Sequence, residues 1–271
     1  MNIIGHNAKL MYRRINQGYK KSHCNVWAWN HPSGKPNFGD ALFLDIVREL
    51  AGEGAGMYGG ERFFYPGGSV LHCANEGDVM WGVGLNNPSL HFLKKFPKDI
   101  IIAGVRGPIT QAFVQHSLKR GCPPVIGDPA FLLPKLFSDY KVVSKYRVGY
   151  ILHYKDNTIF SVGSDSILID PLRDPRIVIP EILSCDFIVS SSLHGIIIAE
   201  MYGIPARWLR PASISEPPFK FYDYYLSTGR SPKPVSTVGE ALLVGGERGG
   251  DYDFQEKLID SFPFELFSDN A

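Results

Sequence analysis

The sequence predicts an α/β protein made of two doubly wound, Rossmann-like lobes facing a cleft, and three observations lead there. Short β-rich runs end in polar or glycine loops and pass into helical patterns, the alternation that parallel sheets covered by helices on both faces require. Glycine and proline number 28 and 20 among 271 residues, well above a usual combined share of about 12%, which argues against a helical bundle or coiled coil. The length of 271 residues, set against about 150 for a usual domain, suits two compact lobes or one large one. With 44% apolar and 13% aromatic residues the chain has the material for a sizeable core, so global disorder is excluded. A formal net charge of +1 is too balanced for binding nucleic acid by bulk electrostatics.

The first lobe is expected over residues 1–137. Its opening, MNIIGHNAKLMYRR, places charge after a very short apolar stretch, the reverse of a secretory leader. No apolar run approaches the ~20 residues that span a bilayer. Cys24, Cys73, Cys122 and Cys185 form no CxxC pair and have no histidine at zinc-ligand spacing, so reduced thiols are expected and no metal site. These features suggest a cytoplasmic protein. Residues 1–40 hold six basic residues against Asp40, and residues 240–271 hold eight acidic residues against two basic ones. Such ends are solvated or pack near one another; alternatively the basic end faces an anionic acceptor or a membrane surface.

Asn37-Phe-Gly-Asp40 precedes the helical pattern ALFLDIVREL. Asp40 is placed either to cap that helix or to bind or deprotonate a hydroxyl. Tyr65–Ser69 and Trp81–Gly84 contain glycines that bring backbone close to a neighbour. The apolar run within Asp99–Arg106 predicts a strand buried on both faces, and Gly107 and Pro108 open a helix over 109–119. Arg106, between glycines at a strand end and beside a helix N-terminus, suits an anion site; the alternative is a salt bridge to a carboxylate across the lobe. VIGDPAFLLP (125–134) closes the lobe, and 134–145 connects it to the next.

The second lobe is expected over 146–235. Strands are predicted at 146–154, 167–170, 186–190 and from 204, with helices at 180–185 and 196–202 and a helix stop at Gly203. Three serines, a histidine and a glycine in Ser190-Ser-Ser-Leu-His-Gly195 interrupt two apolar runs, so burial does not account for them. His194 at a helix start, beside a bound phosphate or carboxylate, has the makings of a general acid. Phe219–Tyr225 is aromatic-rich and serves core or lobe packing, or sugar stacking. Residues 236–271 form an acidic C-terminal tail. Neither GxxxxGK[ST] nor GxSxG occurs, which counts against nucleotide hydrolysis and α/β-hydrolase chemistry.

The ordered set Asn37–Asp40, Asp78–Gly84, Val105–Pro108, Ile126–Pro129, Leu152–Tyr154 and Ser190–Gly195 resembles the polysaccharide pyruvyl transferase family, in particular its exopolysaccharide, succinoglycan-type ketal pyruvate branch. The resemblance runs from about Asn37 to Tyr225. It implies a fold similar to the glycosyltransferase B architecture. It also implies transfer of pyruvate from phosphoenolpyruvate to two hydroxyls of a sugar, lipid-linked or polymeric, with no cofactor. By resemblance Arg106, His194 and Lys220 form the donor site, with Arg207 and Arg210 as alternatives to Lys220; Ser191, Ser192, Gly195 and Gly107 belong beside the donor, and Asn37, Asp40 and His153 on the acceptor side. The partners implied are phosphoenolpyruvate and a saccharide, with peripheral contact at the inner face of the membrane. Two rival functions are a nucleotide-sugar glycosyltransferase on the same fold and a non-catalytic glycan-binding or assembly protein.

Overall fold

In the computed structural model the residues described are 24–52, 62–87, 96–119, 121, 125–156, 158–212, 217–250 and 253–267. Most of the basic N-terminal stretch, and Cys122, lie outside them.

Among the described residues two four-stranded sheets whose strands all pair in parallel organise the chain, with a single antiparallel bridge from Ala206 to Glu247 at the edge of the second. The first contains β1 (Asn25–Val26), β2 (Phe63–Tyr65), β3 (Val79–Met80) and β4 (Ile101–Ile102) in the order β1-β2-β3-β4. Parallel bridges Val83–Val105 and Val105–Ile126 carry its pairing further. The second contains β5 (Val148–Ile151), β6 (Ser166–Leu168), β7 (Ile188–Ser190) and β8 (Ala206–Trp208) in the order β6-β5-β7-β8. Gly149 in β5 admits its neighbours closely, since a Cβ there would lie 2.6 Å from Cys185 Sγ.

Among the described residues the α-helices are α1 (Phe38–Ala51), α2 (Pro108–Leu118), α3 (Leu133–Leu136), α4 (Pro175–Leu183), α5 (Leu193–Met201), α6 (Phe219–Ser227), α7 (Val238–Val244) and α8 (Gln255–Asp260). Helix α5 buries Ile196, Ile197 and Ile198 in succession; a helix apolar on every side belongs in the interior. One continuous core joins α5 and α1 to Phe64 and Trp81 of the first half and to Ile151 and Ile188 of the second. Among the described residues no helix is long and apolar enough to cross a membrane.

Several expectations are corrected. Ile101 in β4 is 50% exposed, so that strand is covered on one face only. Helix α4 begins at Pro175, ahead of the expected start at Pro180, because Asp174 caps it by accepting from the Arg176 N–H at 2.8 Å. Helix α1 is capped by Asn37, whose side chain accepts from the Gly39 N–H at 3.1 Å, and Asp40 lies within the first turn. The acidic C-terminal segment is not merely solvated: Leu258, Phe262 and Phe267 are buried in the main core. Trp81 donates its indole N–H to the Leu258 carbonyl at 3.1 Å, which ties this segment to the first sheet. Phe219–Tyr225 forms α6, and Phe221 stacks on Trp208 at 4.3 Å, so the aromatic run does serve packing.

Candidate active site

In the second sheet β6 lies to one side of β5, and the chain then crosses back to place β7 on the other. Ligands of open parallel sheets bind beyond the carboxyl ends of the strands at such a reversal. The loops leaving β5 and β7 meet there, and they wall a cavity of about 230 Å³ together with residues that follow β1, β2 and β3 of the first sheet. The cavity unites Asn37, Asp40, His153, Ser192, His194 and Lys220.

Ser192 is the N-cap residue of α5, which makes His194 its second residue. The imidazole lies against the first turn of α1, where a Cβ on Gly39 would fall 2.1 Å from its Nδ1. Phe43 meets the same ring edge-to-face with centroids 5.3 Å apart. His194 Nε2 stands 3.6 Å from Asp128 Oδ2, and both atoms are buried without a hydrogen-bond partner among the described residues. Asp128 is fixed by its other oxygen, Oδ1, which accepts from the Ala130 N–H at 3.0 Å.

Because Asn37 takes the cap, the Asp40 carboxyl is left to the cavity. Burial pushes it up from the ordinary 3.8 to about 6; the charges of His194 and Lys220 pull it down, and Asp128 pushes it up. Lys220 occupies the first turn of α6 and is 8% exposed, with Nζ 5.7 Å from the centre of the Phe221 ring. A carboxyl, an imidazole and an ammonium thus share one pocket wall, which is the equipment for moving protons beside an anion.

Arg106 is placed differently. It is wholly buried, and its guanidinium lies over Gly84, where a Cβ would come within 2.1 Å of Cζ. The group pairs with Asp223 at 3.4 Å and donates to Ser69 Oγ at 2.7 Å and to the Leu85 carbonyl at 3.3 Å. Asp223, reaching across from α6, also accepts from the N–H groups of Ile109 and Thr110, each at 3.0 Å, and from the Thr110 hydroxyl at 2.6 Å. The anion at the α2 N-terminus is therefore the protein's own carboxylate, and Gly107 gives it room. Of the two readings open for Arg106, this is the salt bridge across the halves. Ser69, which does line the cavity, spends an oxygen lone pair on Arg106 and keeps its O–H to offer inward.

The serines of the 190–195 loop are buried, and two of them bond within the fold. Ser190 donates to the Ile151 carbonyl at 2.9 Å and accepts from the Ser192 N–H at 3.0 Å. Ser191 accepts from the His153 N–H at 2.9 Å and donates to Asp156 at 2.6 Å. Gly195 packs against Ser190 Oγ and Ile151. Ser191, Gly195, Gly107 and Arg106 are absent from the cavity lining, whereas Ser192 is part of it.

Sequence reasoning gave no role to Asp128, Ser69, His72, Asn86, Trp27, Trp29 or Tyr154, although all but Asp128 line the cavity. Burial lowers the His72 pKa, against a raising contribution from the Ser69 backbone. Asp128, Ser69 and Tyr154 stood within segments noted in the sequence, and Trp27 and Trp29 alternate along one segment, so signals existed for all but His72 and Asn86.

The fold and this pocket define a parallel-sheet α/β protein that gathers acid–base groups at a strand-order reversal. Its sequence matches the profile of the family described as polysaccharide pyruvyl transferase over residues 50–213, and the chain belongs to that family. It is 33% identical over 168 residues to an uncharacterised protein, L143, of Acanthamoeba polyphaga mimivirus, covering 58% of this chain and 57% of the other. It is 31% identical over 173 residues to the succinoglycan biosynthesis protein ExoV of Rhizobium meliloti, covering 59% and 52%. The chain thus spans little more than half the length of these curated relatives. A solved structure of a functionally uncharacterised Klebsiella pneumoniae protein superposes with a TM-score of 0.51 at 14% identity, covering 88% of this chain and all of that one; that likeness bears on the fold alone.

Proposed function

We propose that this protein transfers pyruvate from phosphoenolpyruvate to two hydroxyls of a saccharide, between two sheets arranged in a glycosyltransferase B-like manner. The observation that carries the reading is the juxtaposition of Asp40, His194 and Lys220 in one pocket, in a chain whose family is polysaccharide pyruvyl transferase.

The chemistry assigns a task to each group. His194 gives a proton to the methylene carbon of phosphoenolpyruvate, which becomes a methyl group and leaves an oxocarbenium-like centre. One sugar hydroxyl adds to that centre and loses its proton to Asp40. A second hydroxyl then displaces inorganic phosphate, closing the ketal, and its proton leaves with the phosphate group. Lys220 balances donor charge, and the Ser69 hydroxyl, polarised by Arg106, donates to the same anion, so Arg106 acts through Ser69. Asp128, at 3.6 Å from Nε2, supplies the countercharge to the proton-donating imidazolium. Ser192 lies beside the donor, with Ser191, Gly195 and Gly107 shaping the loops behind it; Asn37 and His153 lie on the acceptor side. No cofactor is needed, and a cytoplasmic site with a lipid-linked or polymeric acceptor is consistent with the scheme.

A nucleotide-sugar glycosyltransferase is the rival reading. The grouping of Lys220 with His194 and Asp40 on one wall favours a small anionic donor. The test is phosphate release from phosphoenolpyruvate with a saccharide acceptor. Activity in the wild type and its loss in His194→Ala are expected; near-wild-type activity in that variant removes His194 from the mechanism. Thermal stabilisation by nucleotide sugars and none by phosphoenolpyruvate would favour the rival.

A further inference from the structure

Trp27 and Trp29 stand two residues apart on the segment leaving β1, the spacing that sends both side chains to one side of an extended chain. Both are half-buried and both line the cavity. Trp27 leans on Tyr65 with ring centres 5.2 Å apart, and Trp29 stacks on Tyr154 at 5.3 Å with 27° between planes. Tyr154 comes from the other half of the chain, on the loop after β5, where the His153 ring lies 4.5 Å away and Lys155 Nζ sits 5.5 Å from its centre. Partly exposed aromatic surface on a polar cavity forgoes the burial that such rings ordinarily gain.

A second observation is independent of the rings. Asn86 also lines the cavity, and its Oδ1 is buried with no hydrogen-bond partner among the described residues. A buried acceptor left unmade is costly, and a ligand hydroxyl would satisfy it. An apolar face beside a lone amide acceptor matches a pyranose, which carries a C–H face and a rim of hydroxyls.

We infer that Trp27, Trp29 and Tyr154 form a platform on which one pyranose ring of the acceptor stacks by its C–H face, with Asn86 Oδ1 accepting a hydroxyl. The inference rests on the proposed function for the presence of a saccharide, and adds how that saccharide is held and by which residues.

The experiment uses the full chain with methyl β-D-glucopyranoside and methyl β-D-galactopyranoside as probes. Saturation-transfer NMR is expected to mark the axial ring protons of one sugar face. Trp29→Leu keeps an apolar side chain but no ring, and Trp29→Phe restores a ring. The Leu variant should raise the saccharide KM by ~10-fold or more and leave the phosphoenolpyruvate KM within about twofold, while Phe recovers most of the loss. If the wild type releases phosphate with a saccharide and Trp29→Leu leaves the saccharide KM unchanged, the platform falls and pyruvyl transfer stands. If the saccharide face is saturated but no phosphate is released with any saccharide, the platform stands and pyruvyl transfer falls. No saccharide saturation, or its displacement by uridine diphosphate stacking on the same rings, overturns the platform.

Discussion

Replacing Asp40 by asparagine should make the protein more stable at pH 8 and leave its stability almost unchanged near pH 4. Burial raises the Asp40 carboxyl from 3.8 to about 6, so the folded state holds the proton more tightly than the unfolded chain does. Below the unfolded pKa both states are protonated and the carboxyl costs nothing. Between the two values the unfolded chain ionises first, and stability falls; above about 6 the full penalty is present. At ~1.4 kcal/mol for each pH unit between the two pKa values, ionised Asp40 costs the fold roughly 3 kcal/mol. The amide of the Asp40→Asn variant keeps the shape and cannot ionise, so it should recover that amount only at high pH. Urea titrations of both proteins at pH 4 and pH 8 measure it, the expected shift at pH 8 being about 1 M in midpoint. The same variant should lose phosphate release by ~10²-fold or more if Asp40 takes the hydroxyl proton. In the wild type, activity should rise as pH passes through about 6. An equal offset at both pH values, or a variant less stable at pH 8, would refute the claim that burial holds this proton.

Two further substitutions probe the surroundings of the site. Asp223→Ala strips a buried carboxylate from Arg106 and from the α2 N-terminus together; chemical denaturation should show a loss of about 3–5 kcal/mol, whereas a loss below about 1 kcal/mol would mean the pair is not holding the halves in register. Gly39→Ala would set a methyl group 2.1 Å from His194 Nδ1. The clash extends to Cγ and Cβ of His194 at 2.5 and 2.8 Å, so thermal melting should drop as well, while phosphate release falls ~10-fold or more because the reactive group is displaced.

How much of this was legible depends on the length scale of each signal. The second half read well because its apolar runs are long and its breaks abrupt: the strand Ile188–Ser190, the break Ser191–Gly195 and the buried run Ile196–Ala199 of α5 succeed one another without ambiguity. The capping of α1 did not, since Asn37 and Asp40 are both good capping residues and only backbone geometry chooses between them. Arg106 could be placed at a strand end, but its partner Asp223 lies on α6 in the other half, and no periodicity links two charges so far apart. The C-terminal segment was hidden by its own composition. Its acids dominate any charge count, while the few residues that decide its position, Leu258, Phe262 and Phe267, are scattered between them. The aromatic wall was missed for a related reason, because Trp29 meets Tyr154 only once the two sheets are brought together.

The glycine excess acquires a physical meaning from these contacts. At Gly39, Gly84 and Gly107 an added Cβ would lie 2.1 Å from His194, 2.1 Å from Arg106 and 2.2 Å from Asp223 respectively. Each absent side chain lets one polar group come within contact of backbone from a distant part of the chain. That arrangement is hard to explain as a way of gaining stability, since a buried ion pair such as Arg106–Asp223 often does no better than apolar residues of the same volume. It is readily explained as a way of fixing position. Asp223 is saturated by two backbone N–H groups, the Thr110 hydroxyl and the guanidinium, so Arg106 has little freedom to move. Its bonds to the Leu85 carbonyl and to Ser69 complete the anchoring, and the second holds that hydroxyl at the cavity wall. The energetic cost of burying the pair and the elevated pKa of Asp40 have the same origin: a desolvated cavity lets a few charges act strongly on a small anion, and the fold gives up stability to maintain it.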